Sequence, residues 1–326
     1  MKALLQSGYG HTEVFRVGAT PSPSPGPGEV IVRVEAAGID RGTWHLMTGR
    51  PYLMRIMGFG FFAPKEPVAG LDLAGTIVEV GEGVRRFRVG DDVLGIGRGS
   101  FAEFARARAD KLVHKPKALS FADAAVLGVS GGTALQAIDA AKVAAGERVL
   151  VVGASGGVGT YAVQILKALG AHVAGVASTS KLDTVRAAGA DRAIDYTTTD
   201  FTTERYDVIL DLGGNTPLQR LRRALTPTGR LVFVGGENGG DWTAGFGRPL
   251  RGLLLAPFVR QRFIMLASKE HHSFTQRVVD LVEQKAVTPI IDRRIPLHQV
   301  PGALLDLEAG RVRGKIVVEI AAQSSR

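Results

Sequence analysis

The glycine-rich turn Gly153-Ala-Ser-Gly-Gly-Val-Gly159 is the stretch of this chain best suited to chemistry. Glycines let backbone approach a pyrophosphate without a Cβ clash. A helix starting just after them offers free N–H groups and a positive dipole end to the anion. Ser155, Gly156, Gly157 and Val158 are the residues such a turn sets against the phosphates. Roughly 20 residues past the first glycine, a dinucleotide fold that takes NAD carries a carboxylate for the ribose hydroxyls. Here that place reads Val176-Ala-Ser-Thr-Ser-Lys181, with no Asp or Glu between Ala171 and Leu182. Ser178 and Thr179 can donate to a 2′-phosphate and Lys181 can neutralise it, which favours NADPH over NADH. The same Ser-Thr-Ser can also cap the next helix, and the two roles are compatible.

A glycine turn is also common as plain structure, so its flanks decide what it means. Val149-Leu-Val-Val152 reads as a buried strand before it. Tyr161, Ile165 and Leu169 share one helical face after it, and 172–177 reads as a second strand. Strand, glycine turn and helix in that order make the phosphate-binding corner of a dinucleotide fold. Strands and helices go on alternating through 181–188, 192–195, 207–211, 217–224 and 230–235, with 263–267 as a last strand. Such alternation predicts a parallel sheet with helices on both faces.

The chain before Ser120 has another character. Residues 29–37 alternate as a strand with one wet face, and short strands follow at 70–80, 88–95 and 100–105. This density of short strands between glycine turns predicts a small barrel-like β domain. Strand character returns at 290–295 and 315–320, so the β domain is expected to be split. The expected boundaries are 1–121 with 268–326 for the β domain and 122–267 for the dinucleotide domain.

Composition bounds the rest. With 326 residues, 45% hydrophobic and 42 glycines, the chain fits a two-domain α/β enzyme. It has no cysteine, which excludes disulfides, thiolate nucleophiles and cysteine metal sites. The net charge of +9 comes from dispersed arginines that are not interleaved with aromatics, so nucleic acid is not an expected partner. The apolar stretch 250–266 is broken by Arg251, Arg260 and Arg262 and falls short of a membrane span. The N-terminus shows no long apolar h-region, and a cytoplasmic protein without membrane contact is expected.

The glycine-turn segment, with Gly146-Glu before it and Gln164 and Lys167 after it, resembles the medium-chain dehydrogenase/reductase superfamily in its zinc-free quinone oxidoreductase (zeta-crystallin-like) branch. Gly70-Leu-Asp-Leu-Ala-Gly, Val89-Gly-Asp-Asp-Val93, Gly189-Ala-Asp191 and Gly314-Lys-Ile-Val-Val318 resemble further landmarks of that branch, in the right order along nearly the whole chain. The resemblance implies a Rossmann doubly wound parallel sheet plus a GroES-like β-barrel catalytic domain, with the nicotinamide in the cleft between them. It also implies roles by position. Thr133 matches a threonine near the nicotinamide, and Tyr196 a tyrosine near the adenosine 2′-phosphate. Asp211, Gly213 and Gly235-Gly236 would close strand ends over the cofactor, with Phe263 and Lys315 lining the nicotinamide side. Turn-forming glycines and a capping Asp211 are the plain structural alternatives. A homodimer joined through the strand at 263–267 is implied as well.

Departures from the zinc members matter equally. The first ligand position is Asp40, the His-Glu pair is replaced by Leu71-Asp72, and 128–133 offers neither thiolate nor imidazole. Catalytic zinc needs three protein ligands and an open position, so no metal is expected. Asp40, His45 and Asp72 are the residues an oxygen-rich site would have to use.

Without zinc to polarise a saturated carbonyl, the expected reaction is hydride transfer to an acceptor that delocalises charge. A small hydrophobic quinone or the C=C of an α,β-unsaturated carbonyl fits, with hydrogen bonds to the developing oxyanion. Tyr52 is a candidate proton donor or a partly buried tyrosine beside proline. Asp40 could position a hydroxyl or a water, or act as a base. Arg50 and Arg55 could hold an acidic or oxygenated substrate. Trp44, Met47, Met54, Met57 and Phe59 to Phe62 form either a soft apolar pocket or ordinary core. A metal-free carbonyl reductase and a non-catalytic NADPH-binding protein are the alternatives.

Overall fold

The computed structural model describes residues 1–52, 55–56, 60–235 and 247–320. The chain divides into two compact units. One is Met1–Gly132 with Glu270–Glu283 and Ile291–Arg326; the other is Thr133–Lys269 with Gln284–Ile290. The expected junctions at 121/122 and 267/268 both lie N-terminal of these.

The first unit carries β1 (Lys2–Gln6), β2 (Phe15–Ala19), β3 (Glu29–Ile39), β4 (Asp72–Val80), β5 (Asp92–Ile96), β6 (Phe104–Arg108) and β7 (Leu112–His114). The second carries β8 (Arg148–Val152), β9 (His172–Ala177), β10 (Arg192–Asp195), β11 (Tyr206–Asp211), β12 (Leu225–Phe233) and β13 (Arg262–Met265). The chain then returns to the first unit with β14 (Ile291–Pro296) and β15 (Lys315–Glu319).

In the first unit β3 is the organising strand. Its alternating β-branched residues Val30, Val32 and Val34 are fully buried, and both of its edges are paired. One edge takes β4; the other is shared by β6 along its start and β15 along its end. The resulting path is β14-β15-β3-β4-β5-β7, with β6 branching from β3. A small barrel was expected; the named strands form this path, and an isolated antiparallel bridge, Arg98 to Arg106, ties the segment after β5 to β6. β3 is long enough for two partners to share one edge, so the sheet forks there. Leu4, Phe101, Leu73, Leu112 and Ile316 fill the core against it.

A helix the sequence reading did not anticipate, α1 (Arg41–Thr48), follows β3 directly. Asp40 starts it as N-cap, accepting from the Thr43 N–H at 2.8 Å, and Gly49 ends it in the left-handed region. The Asp-x-x-Thr spacing was the signal available.

The second unit is a six-stranded sheet in the order β10-β9-β8-β11-β12-β13, and every pairing in it is parallel. The order reverses at β8 and β11, the topological switch point of a doubly wound fold. Val149, Leu150 and Val151 of β8 are wholly buried, as a central parallel strand requires. Leu150, Ile209, Leu221, Leu231 and Phe263 belong to its core. Among the described residues no helix is long and apolar enough to cross a membrane.

Candidate active site

In the dinucleotide unit, β8 runs into Gly153, whose φ of +87° suits glycine alone. The chain turns and enters the helix Gly157–Ala168, here α2, capped by Gly156 with no side-chain hydrogen bond. Glycine brings no capping side chain of its own to the N–H groups of the first turn, which have no intrahelical acceptor. A Cβ on Gly159 would stand 2.2 Å from the Gly153 carbonyl oxygen, so the turn and helix close on each other with no room for a side chain. Ser155 is buried beside the turn, and Val158 is half-buried on the first helical turn. These features fit a dinucleotide pyrophosphate: a cradle that a Cβ would fill, and a helix start left uncapped.

At the end of β9, Ser178 precedes a short 3-10 turn, Thr179–Lys181, and its hydroxyl makes no capping bond. The capping alternative therefore does not use Ser178. Thr179 donates to Asp195 Oδ2 at 2.5 Å, and Thr197 donates to Asp195 Oδ1 from both its N–H and its hydroxyl. These hydrogen bonds, the Thr179 hydroxyl first, hold the Asp195 carboxyl below its ordinary value. The acid at this corner stands not on β9 but on β10, where the register sets Asp195 opposite Ala177. Tyr196 is tied through its N–H to the Ala177 carbonyl, and the residue is 57% exposed beside this edge. Lys181 lies half-buried at the end of the 3-10 turn.

Across the switch point, Asp211 is fully buried. Its Oδ1 accepts from the Gly214 N–H at 3.1 Å, and its Oδ2 accepts from Arg248, a residue the sequence reading did not single out. Both oxygens are thus committed within the protein. Gly235 donates to the Asp211 carbonyl, and a Cβ on it would stand 2.1 Å from the Leu212 oxygen. Gly236 lies outside the described residues. Phe263 is a core side chain, 3.2 Å from where a Cβ on Gly252 would be. Thr133 is half-buried on the helix Gly128–Ala141, within its dinucleotide-unit part.

The β unit holds a buried charge cluster. Lys315 is 1% exposed, Asp72 0%, Ser130 3% and Asp40 4%. The Lys315 Nζ donates to Asp72 Oδ2 at 3.3 Å and to Ser130 Oγ at 3.0 Å. Asp72 Oδ1 accepts from the Val129 N–H at 2.7 Å, at the start of a helix where an anion is favoured. Asp40 Oδ2 has no partner among the described residues. Burial, opposed by Lys315, pushes the Asp72 carboxyl up to about 7 and raises that of Asp40 as well. Lys315, expected beside the nicotinamide, spends its ammonium on this cluster.

The three places where zinc relatives carry ligands do converge here, but around an ammonium. With Lys315 between Asp72 and Ser130, leucine at position 71 and no cysteine in the chain, the donor set does not fit catalytic zinc. Among the described residues no three His, Cys, Asp or Glu side chains stand close enough to share a metal.

Tyr52 is half-buried under the guanidinium of Arg55, 4.6 Å from its ring centre. Arg55 also stacks on Tyr9 at 4.3 Å and donates to the Gly49 and Thr48 carbonyls. It is therefore a clamp on the loop after α1 rather than a free substrate cation. His45 is hydrogen-bonded to the Arg50 carbonyl at 2.7 Å, and burial lowers its pKa, as befits a structural imidazole. The apolar stretch divides. Met47 is core, Trp44 packs half-buried against it, and Phe61 and Phe62 are exposed. Met54, Met57 and Phe59 lie outside the described residues.

Residues 26–117 match the alcohol dehydrogenase GroES-like domain, and residues 188–318 match the family described as zinc-binding dehydrogenase. The chain is 30% identical over 345 residues to the chloroplast envelope quinone oxidoreductase homolog of Arabidopsis thaliana, covering 98% of each. It is 28% identical over 338 residues to the 2-methylene-furan-3-one reductase of Solanum lycopersicum, covering 98% of this chain and 79% of that one. A mycobacterial protein solved complexed with NADPH superposes with a TM-score of 0.83 at 25% identity, covering 98% of this chain and 100% of that one. The chain belongs to the medium-chain dehydrogenase/reductase superfamily, in its zinc-free quinone oxidoreductase branch, and is an oxidoreductase.

Proposed function

We propose that this chain is a zinc-independent, NADPH-dependent reductase that delivers hydride to a quinone or to the C=C of an α,β-unsaturated carbonyl. The observation that carries this is the corner formed by β8, the glycine turn and the uncapped start of α2, with Ser178 and Lys181 placed at the end of β9. Bound there, the nicotinamide supplies the hydride. The protein's residues bind and orient. The first turn of α2 receives the pyrophosphate, and Ser178 and Lys181 receive the 2′-phosphate. Asp195 stands nearby, but Thr179 and Thr197 already occupy its two oxygens. Tyr52 is the proton donor to the product enolate, with its ring held by Arg55. No metal step is needed, because a quinone or enone spreads the arriving charge onto an oxygen that hydrogen bonds can stabilise.

A homodimer joined through β13 belongs to the same proposal. β13 ends the sheet order, Met265 on it is exposed, and an unpaired edge strand calls for a cover.

The test is oxidation of NADPH and NADH with a benzoquinone, a naphthoquinone, an enone and an aldehyde, each with and without EDTA. NADPH-selective, chelator-insensitive turnover of the quinones or the enone is expected. Turnover of the aldehyde alone, lost in EDTA, would overturn the proposal.

A further inference from the structure

Arg248 has more hydrogen-bonding capacity than the structure uses. It lies on the helix Gly247–Leu255, here α3, and only 17% of its side chain is exposed. Nη2 donates to Asp211 Oδ2, whereas Nε and Nη1 are buried with no acceptor among the described residues. A guanidinium taken out of water with most of its donors unspent is costly unless a ligand completes it. Its burial also lowers its pKa.

A buried arginine is best satisfied when it meets its carboxylate edge to edge, with two parallel hydrogen bonds. Asp211 cannot offer that second bond, because its Oδ1 is committed to the Gly214 N–H. The ring of Phe233, 5.6 Å away, supports the guanidinium from below and supplies no acceptor.

Placement identifies the ligand. Asp211 ends β11 and pairs in register with Val152, the residue just before the glycine turn. A Cβ on Gly153 would stand 3.2 Å from the Gly213 backbone nitrogen, so the turns after β8 and β11 touch. Arg248 is therefore anchored at the carboxyl edge of the sheet, where the strand order reverses. A dinucleotide bound at such a crevice sends its adenosine half over β9 and its nicotinamide half over β11 and β12. Its pyrophosphate, at the glycine turn between the two, carries the anionic oxygens that match a guanidinium.

We propose that Arg248 is a cofactor-binding residue that donates from Nε and Nη1 to the pyrophosphate oxygens on the nicotinamide side, with Asp211 as the residue that positions it. This rests on the dinucleotide reading above. Asp211 then serves the cofactor through Arg248 rather than by touching it.

The test is binding, not turnover. Dissociation constants of wild type, Arg248→Ala and Arg248→Lys are measured by fluorescence titration with three ligands. These are NADPH; 2′-phospho-ADP-ribose, which keeps the pyrophosphate and lacks nicotinamide; and 2′,5′-ADP, which has neither the second phosphate of the bridge nor the nicotinamide ribose. Arg248→Ala should weaken NADPH and 2′-phospho-ADP-ribose at least tenfold and leave 2′,5′-ADP within twofold. Arg248→Lys, which keeps the charge beside Asp211, should fall between and covers the case in which the alanine variant does not fold. Equal weakening of all three ligands would show a purely structural arginine and overturn the inference. So would unchanged binding of NADPH. If wild type binds none of the three, the dinucleotide reading fails first and takes this one with it.

Discussion

Replacing Lys315 with Met should destabilise the protein by an amount that grows with pH. Lys315 and Asp72 are buried together, and Asp40 lies in the same cluster with one oxygen unpartnered. Two acids and one ammonium reach neutrality when the acids share a single proton. That agrees with Asp72 being pushed up to about 7 from an ordinary value of 3.8, and with the raised pKa of Asp40. In Lys315→Met the ammonium is gone, and neutrality requires a proton on each acid. Breaking one side of a buried ion pair costs about 3–5 kcal/mol. The extra proton adds a slope: between pH 6 and 8 the deficit should grow by about 1.4 kcal/mol per pH unit.

The sign follows from the direction of the shift. An acid whose folded pKa exceeds its unfolded value contributes stability that is full below the unfolded value and is lost as pH rises through the folded one. The variant holds one more such proton, so it loses more on the alkaline side. Urea unfolding of both proteins at pH 6, 7 and 8 reads the deficit directly. The double variant Lys315→Met/Asp72→Asn keeps an acceptor for the Val129 N–H and removes the stranded charge. It should recover about 2 kcal/mol or more of the loss. A deficit under about 1 kcal/mol with no pH slope would refute the view that Lys315 neutralises buried acids.

Other substitutions probe the remaining parts of the site. Gly159→Ala puts a Cβ 2.2 Å from a backbone oxygen that cannot move aside, so it should cost about 1–3 kcal/mol in thermal or urea unfolding and weaken NADPH binding. Asp40→Asn keeps the cap on Thr43 while removing an acid with a raised pKa, so the variant should gain on wild type in urea as pH rises from 5 to 8. Lys181→Ala should raise the KM for NADPH about tenfold and leave that for NADH nearly unchanged, in steady-state assays with a quinone. Tyr52→Phe should lower kcat for the enone while leaving the NADPH dissociation constant within twofold; an unchanged kcat would remove Tyr52 from the proton step.

The helices split along the same line as the site residues. The helix at Phe121–Ala124 was expected from its Ser120 cap, and the structure shows that cap accepting from the Asp123 N–H at 3.1 Å. α1 and the C-terminal helix Val300–Glu308 were not expected, although Asp40 and Pro301 stand at their starts. Both are short, and packing of Met47, Val300 and Leu304 into the β core holds them. Asp40 shows the consequence: read as a residue free for chemistry, it is first of all the cap of α1.

Local order in the chain was enough to determine the dinucleotide corner, the alternating parallel unit and the absence of thiolate chemistry. Each depends on neighbours in sequence: a buried run, a turn only glycine can make, and a helix start within a few residues. Only the tertiary structure decided which charges face each other. Lys315 meets Asp72 from 243 residues away, Asp195 reaches the β9 edge through strand register, and Arg248 finds Asp211 across the switch point. None of these pairs has a sequence period, because burial and sheet order bring them together. Both the charge of a buried acid and the donors left on a buried arginine are set by partners that only folding supplies.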